Sequence, residues 1–225
     1  MASISIAVFA KTPNLTPAKT RLAAAIGSEQ ATRFYQHSLC CTTAILAQLK
    51  NQYSKVKVTW AVAEKEHKKD SLWQDKNTMW TGPGDLGQRL HQVYSHLKQD
   101  ADIVIIIGSD CPHLSITAIT DAIEKLHKQP QSVVIGPAED GGFYLFASDR
   151  QIASTVWTQT RYSEATTRQQ LILQLQQAVQ FVEFTFDIDT INELRQLQQW
   201  FNQAATDILL AEQQQLQRWL QQLPI

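Results

Sequence analysis

The apolar and polar positions alternate between two kinds of segment along this chain. Ile4–Ala10 is a short apolar run that ends in Lys-Thr-Pro, and it predicts a buried first strand. A loop over 11–17 carries two prolines. A helix then runs from about Ala18 to Gly27, where the glycine suits a C-cap. Ala31, Phe34, Leu39, Ile45, Leu46 and Leu49 fit helical spacing better than alternation, so Ser28 to about Lys50 is a long helix. Val56–Ala63 is the second strand, Glu64–Asp75 is charged and predicts a short helix, and Thr78–Thr81 is a weak strand. Leu86, Leu90, Val93 and Leu97 mark one helix face. Ile103–Ile107 is apolar on both faces, as expected of a strand covered by helices on each side.

The same reading continues to the end of the chain. Ile116, Ile119, Ile123 and Leu126 predict a helix, and Val133–Gly136 and Phe143–Ala147 predict strands around the loop Pro137–Gly142. A helix follows over Ser163–Ala178. Val182, Phe184 and Phe186 alternate, which predicts a strand over Phe181–Phe186. Two Gln-rich helices, Ile191–Asn202 and Thr206–Leu223, close the chain, and their glutamines read as a solvated surface. The alternation of strands and helices predicts a single α/β domain over 1–225, three layers deep, with a mostly parallel sheet. Its last segment, 191–225, is helical.

Composition narrows the function classes. The net charge of −1 lacks the basic excess that nucleic acid or an anionic membrane surface would require. No apolar run is long enough for a membrane span, and the short apolar start lacks the basic flank of a signal peptide. Cys40, Cys41 and Cys111 have no metal-ligand spacing and suit a reducing cytosol. Of the eight glycines, all but Gly27 fall in the loops that begin at Gly82, Gly108 and Gly136.

In open α/β sheets ligands bind beyond the carboxyl ends of the strands, so the chemistry is sought in the loops there. After the first strand, Lys11, Lys19 and Arg21 bring three cations near a helix N-terminus, as a diphosphate requires. Gly82-Pro-Gly84-Asp-Leu-Gly87 spells G-x-G-x-x-G, but Pro83 removes a backbone donor and the preceding strand is short. Asp85 either caps the following helix or faces a nucleotide. Asp110 follows the strongest strand and suits Mg²⁺ or Mn²⁺ bridging phosphate oxygens. His113 is near enough to assist, although a lone histidine is more often structural. Asp140, beside Gly141 and Gly142, fits a base or binding group for an acceptor hydroxyl. In Asp187-Ile-Asp-Thr, either carboxylate could complete the metal site, with Asp189 preferred. Asp189 and Thr190 are equally suited to capping the next helix. The P-loop, the H-E-x-x-H zinc motif and the G-x-S-x-G elbow are all missing from the sequence.

Four stretches, FAKTPNLTPAKTRL (9–22), GDLGQRL (84–90), IIIGSDCPHL (105–114) and GPAEDGGFYLFA (136–147), together with FDIDTINEL (186–194), resemble the bacterial DUF2064 family. That family is associated with arsenosugar-type glycosyltransferases. It is similar to GT-A (nucleotide-diphospho-sugar transferase-like) enzymes and to nucleotidyltransferases such as 2-phospholactate guanylyltransferase. The resemblance implies a metal-dependent transferase using a nucleotide sugar or an NTP and a small-molecule acceptor. It would place Lys11, Lys19 and Arg21 on the nucleotide phosphates, Asp110 on the metal and Asp140 toward the acceptor. The first loop departs from the family pattern, with Asn14-Leu-Thr-Pro-Ala18 where a glycine often precedes K-T-R-L.

Overall fold

A computed structural model describes residues 2–13, 15–205 and 208–224. Its strands are β1 (Ile4–Ala10), β2 (Val56–Val62), β3 (Thr78–Trp80), β4 (Ile103–Gly108), β5 (Val133–Pro137), β6 (Phe143–Ser148) and β7 (Val179–Phe181). Its helices are α1 (Thr20–Ile26), α2 (Ser28–Gln52), α3 (Leu86–Lys98), α4 (Ile116–Lys128), α5 (Ser154–Thr158), α6 (Thr167–Gln174), α7 (Ile191–Gln203) and α8 (Ala211–Leu220). Two short 3-10 turns, His67–Lys69 and Ser71–Trp73, replace the helix expected over Glu64–Asp75.

The strands form one sheet in the order β3-β2-β1-β4-β6-β5-β7. Only β6 runs antiparallel to its neighbours, so the expected mostly parallel sheet is observed. The apolar runs of β1 and β4 follow from burial on both faces. Ile4, Ile6, Val8, Ile103, Ile105 and Ile107 pack under α2 and α4. Ala7, Val104 and Ile106 point the other way, toward α3 and α5, where Tyr94, Phe146 and Trp157 stack together. Each fully buried Ile or Leu side chain contributes roughly 1.5–3 kcal/mol.

A third apolar cluster joins α1 and the outer face of α2 to α7 and α8 through Leu22, Phe34, Leu194, Leu197, Phe201, Leu216 and Leu220. This packing changes the meaning of the glutamines. Gln213 is buried, and its amide donates to the Pro112 carbonyl at 3.1 Å. Gln217 donates to the Phe201 carbonyl and Gln198 to the Leu220 carbonyl. These side chains reach backbone carbonyls left open at helix ends and between helices, so they are not all a solvated surface. The expected start of the last helix, at Thr206, lies outside the described residues.

Two expectations are corrected after Gly142. The segment 163–178 holds a helix only over Thr167–Gln174, and α5 precedes it unforeseen. The last strand lies earlier, at Val179–Phe181, pairing with β5, and only an isolated bridge joins Thr185 to Ala138. Val182 and Phe186 are buried as alternation implies, but Phe184 is exposed. The chain leaves the sheet edge after Phe181, and alternation of side chains does not report where backbone pairing stops.

Candidate active site at the strand ends

The chain runs from β1 outward to β2 and β3, then returns to β4 on the other side of β1. The crevice between the carboxyl ends of β1 and β4 is therefore the switch point where such sheets hold ligands. The loops on either side are tied to each other. The Lys11 amide donates to the Tyr35 hydroxyl at 2.8 Å, that hydroxyl lies 3.1 Å from Ser109 Oγ, and Ser38 Oγ donates to the Ser109 carbonyl. The segment after β7 joins them: the Ile188 amide donates to the Asp110 carbonyl, and Cys111 Sγ donates to the Phe186 carbonyl.

A cleft of about 750 Å³ opens over these loops, within the range of small-molecule sites. Arg21, Asp110, Asp140, Asp187 and Asp189 all line it. The Lys19 side chain is buried beneath them. Its ammonium lies 2.6 Å from Asp110 and 2.9 Å from Asp189, with the side chain 4% exposed. Its backbone is left-handed at φ 56°, immediately before α1. Such a conformation costs a non-glycine residue roughly 1–3 kcal/mol. Arg21 holds the other oxygen of Asp189 at 3.0 Å while remaining mostly exposed.

Lys11 is exposed and is not among the residues that line the cleft, although its charge helps to lower the pKa of Asp189. Asp85 is the N-cap of α3, accepting from the Gln88 amide in a reciprocal capping box, while the Gln88 side chain accepts from the Asp85 amide. Gly87 serves close packing, since a Cβ there would meet the Trp157 carbonyl at 2.4 Å. The G-x-G-x-x-G stretch is thus the start of a packed helix. His113 is buried against Phe186 and Trp200, with Nε2 2.9 Å from the Thr185 hydroxyl, and burial lowers its pKa to about 4.

The electrostatics separate the carboxylates. Burial alone would lower the pKa of Lys19, but Asp110 and Asp189 outweigh it and raise it above the ordinary lysine value. Burial alone would raise Asp189, but Lys19, Arg21 and Lys11 hold it below the usual carboxylate range. Asp187 has no ion-pair partner among the described residues. Burial, then the charges of Asp140, Asp110 and Asp189, push its pKa up to about 6.

That shift has a definite sign. The folded state holds the Asp187 proton more tightly than the unfolded chain, so its contribution is present at low pH and lost as pH rises through about 6. In the metal-free protein, Asp187→Asn should therefore be more stable than wild type at about pH 8, by about 1–3 kcal/mol. The difference should fade toward about pH 4. Urea unfolding at both pH values measures it, and a pH-independent difference would show that Asp187 is not strained by charge.

Sequence reasoning missed the residues that shape the cleft wall beside Asp140. The Arg168 guanidinium donates to the carbonyls of Ala138 and Gly142 at 3.1 and 3.2 Å, and its amide donates to the Gly141 carbonyl. The Arg168 side chain thus clamps the Asp140 loop from α6. Asp140 itself accepts from the Gly142 amide at 2.8 Å through Oδ1. Tyr162, Ser163 and Glu164 complete this wall, Ser163 with a left-handed backbone. No motif marks them, because a wall needs only shape.

The family model described as an uncharacterized protein conserved in bacteria, DUF2064, matches residues 44–164. The chain belongs to the DUF2064 family. The matched segment contains Asp110 and Asp140, whereas Lys19, Arg21, Asp187 and Asp189 lie outside it. Among solved structures, a candidate nucleotide-diphospho-sugar transferase from Desulfovibrio desulfuricans G20 superposes with a TM-score of 0.81. It is 23% identical, over 98% of this DUF2064 chain and 99% of the other. CMP:2-keto-3-deoxy-manno-octonic acid synthetase, in complex with CTP, aligns with a TM-score of 0.55 at 14% identity, over 89% of this chain and 99% of the other. A 4-diphosphocytidyl-2C-methyl-D-erythritol synthase from Anaerococcus prevotii DSM 20548 aligns with a TM-score of 0.54 at 12% identity, over 98% and 99%. These likenesses establish that this DUF2064 chain has the fold shared by these three proteins. No curated protein matches the chain. Among the described residues, no helix is long and apolar enough to cross a membrane.

Proposed function

We propose that this DUF2064 protein is a metal-dependent glycosyltransferase that takes a nucleotide sugar as donor. The observation that carries the reading is the charge of the cleft at the switch point. Glu139, Asp140, Asp110, Asp187 and Asp189 line it, against Arg21. A nucleotide diphosphate would be repelled there unless a divalent cation lay between its oxygens and the carboxylates.

The residues fit such a cation. The donors are all carboxylate oxygens, which suit Mg²⁺ or Mn²⁺. Among the described residues, no three potential ligands are packed as a ready-made cage. That also suits Mg²⁺, which needs one or two carboxylates and takes its other ligands from substrate phosphates and water. Asp110 would hold it with Asp187 or Asp189, and Asp187 is the one left without an ion pair. When bound, the cation would neutralise charge developing on the diphosphate leaving group. Arg21 and Lys11 would supply further positive charge to that group.

Asp140 would face the acceptor. Its Oδ1 is held by the Gly142 amide, which leaves Oδ2 free to orient an acceptor hydroxyl. As the acceptor oxygen bonds to the sugar carbon, the bond from that carbon to the diphosphate oxygen breaks. The hydroxyl proton passes to Asp140.

Nucleotidyl transfer, the other reading of the sequence, places a triphosphate and a phosphorylated acceptor beside the same carboxylates. The charge of Lys19 is already shared by Asp110 and Asp189. The smaller anionic load of a nucleotide sugar is the better match. A thermal-shift screen of nucleotide sugars and NTPs with Mn²⁺ tests this directly. Stabilisation by a nucleotide sugar is expected, since a ligand stabilises the folded state as its concentration exceeds Kd. Stabilisation by NTPs alone would transfer the reading to nucleotidyl transfer. Binding of a nucleotide sugar without turnover, with or without acceptors, would leave a binding module.

A further inference from the structure

We infer that Lys19 is the resident cation of this site, holding Asp110 and Asp189 in the nucleotide-free protein so that a divalent ion cannot enter alone. Metal and diphosphate then enter together. The inference rests on the nucleotide reading above and assigns Lys19 a role in setting the order of binding.

Three observations carry it. The ammonium is within direct contact of both carboxylates, at 2.6 and 2.9 Å, while its own side chain is 4% exposed. The two carboxylates are 43% and 40% exposed, so they face the cleft while Lys19 sits beneath them. Arg21, mostly exposed, pairs with the far oxygen of Asp189 at 3.0 Å, so both oxygens of that carboxylate already face a cation.

A divalent ion bound by Asp110 or Asp189 must therefore approach an ammonium already in contact with one oxygen of each carboxylate, and the two like charges repel. Among the described residues no three potential ligands are packed together, so no ready-made cage offsets that repulsion. A diphosphate changes the balance in two ways. It brings oxygens that complete the coordination of the metal. It also brings negative charge that the ammonium can bond in place of one carboxylate. Lys19 has a left-handed backbone immediately before α1, and its stem lies under the cleft floor.

Calorimetry on the full chain tests the inference, with Lys19→Gln as the variant. Glutamine can still donate hydrogen bonds to both carboxylates but carries no charge. Wild type titrated with Mn²⁺ alone should show no saturable binding. Lys19→Gln should bind Mn²⁺ alone saturably, at least about tenfold more tightly than the weakest binding the wild-type titration could have detected. Equal affinities for the two proteins, or a silent Lys19→Gln, would overturn the inference. A wild type that binds a nucleoside diphosphate in neither the presence nor the absence of Mn²⁺ would refute the nucleotide reading instead. The Mn²⁺-alone comparison would still judge Lys19. If Lys19→Gln fails to fold, the melting temperature of wild type decides. A rise with Mn²⁺ alone overturns the inference, and a rise with Mn²⁺ only when a nucleoside diphosphate is present supports it.

Discussion

Asp110→Asn should abolish the metal-dependent part of nucleotide binding. Asparagine keeps the shape and one carbonyl oxygen but removes the charge that attracts a divalent cation. Loss of groups that merely support metal ligands costs about 10–100-fold in affinity, so loss of the ligand charge should cost at least about 100-fold. The fold should survive, because Lys19 retains Asp189 at 2.9 Å and the Asp110 carbonyl still accepts from the Ile188 amide. Calorimetric titration of a nucleoside diphosphate with and without Mn²⁺ reads the effect. Wild type should bind more tightly with metal, and the variant should bind equally weakly in both cases. If the variant keeps the metal-dependent gain, Asp110 is not a ligand and its role is only to neutralise Lys19.

The second large effect is expected at Gly141. Its φ is +87°, and a Cβ there would meet the Ala165 carbonyl oxygen at 1.9 Å. Gly141→Ala therefore combines left-handed strain with a clash against backbone, which cannot rotate away. Together these should cost about 3 kcal/mol or more. The damage falls on the wall of the cleft, since the Gly141 carbonyl accepts from the Arg168 amide. The neighbouring glycine is the control. At Gly142 a Cβ would meet only the Asp140 side chain, at 3.0 Å, and φ is not positive. Gly142→Ala should cost about 1 kcal/mol. Urea unfolding of both variants measures the contrast. Equal losses would show that the loop can relax around either substitution.

The Gly141–Gly142 pair illustrates how far the sequence could be read. Two adjacent glycines after a strand mark a turn in which a ligand or another backbone comes close. Only the fold reveals that Ala165, from the segment before α6, is the backbone that comes close. The same limit applies to the chain after Gly142. Leu171 and its neighbours carry a helical pattern, but nothing in that pattern announced α5, whose five residues are too short for a periodicity to develop. Val182 and Phe186 are buried as predicted, yet β7 ends at Phe181 because strand pairing depends on where β5 runs.

The candidate site shows the same division. The loops were found from the sequence because ligand position in a parallel sheet follows from strand order, and the apolar runs of β1 and β4 made both strands plain. The resemblance to DUF2064 is carried by residues of the same loops, of which the family model covers those within 44–164. Lys19 was visible as a cation beside a strand end. Its partner Asp189 is 170 residues away, so no local pattern could reveal that its ammonium is already engaged. Nor could composition show that the C-terminal glutamines reach into the structure, as Gln213 does at the Pro112 carbonyl beside the Asp110 loop.

By itself the sequence determined the elements whose formation depends on near neighbours: the buried strands, the long amphipathic helices, and the glycine-bearing loops at the strand ends. These follow from side-chain periodicity and backbone freedom, which are local properties. The tertiary structure alone decided which charges meet. It placed Lys19 under Asp110 and Asp189, left Asp187 without an ion pair among the described residues, and set Arg168 against the Asp140 loop. Electrostatic character depends on distances between groups remote in the chain and on how much water is excluded around them. Those quantities exist only once the chain has folded.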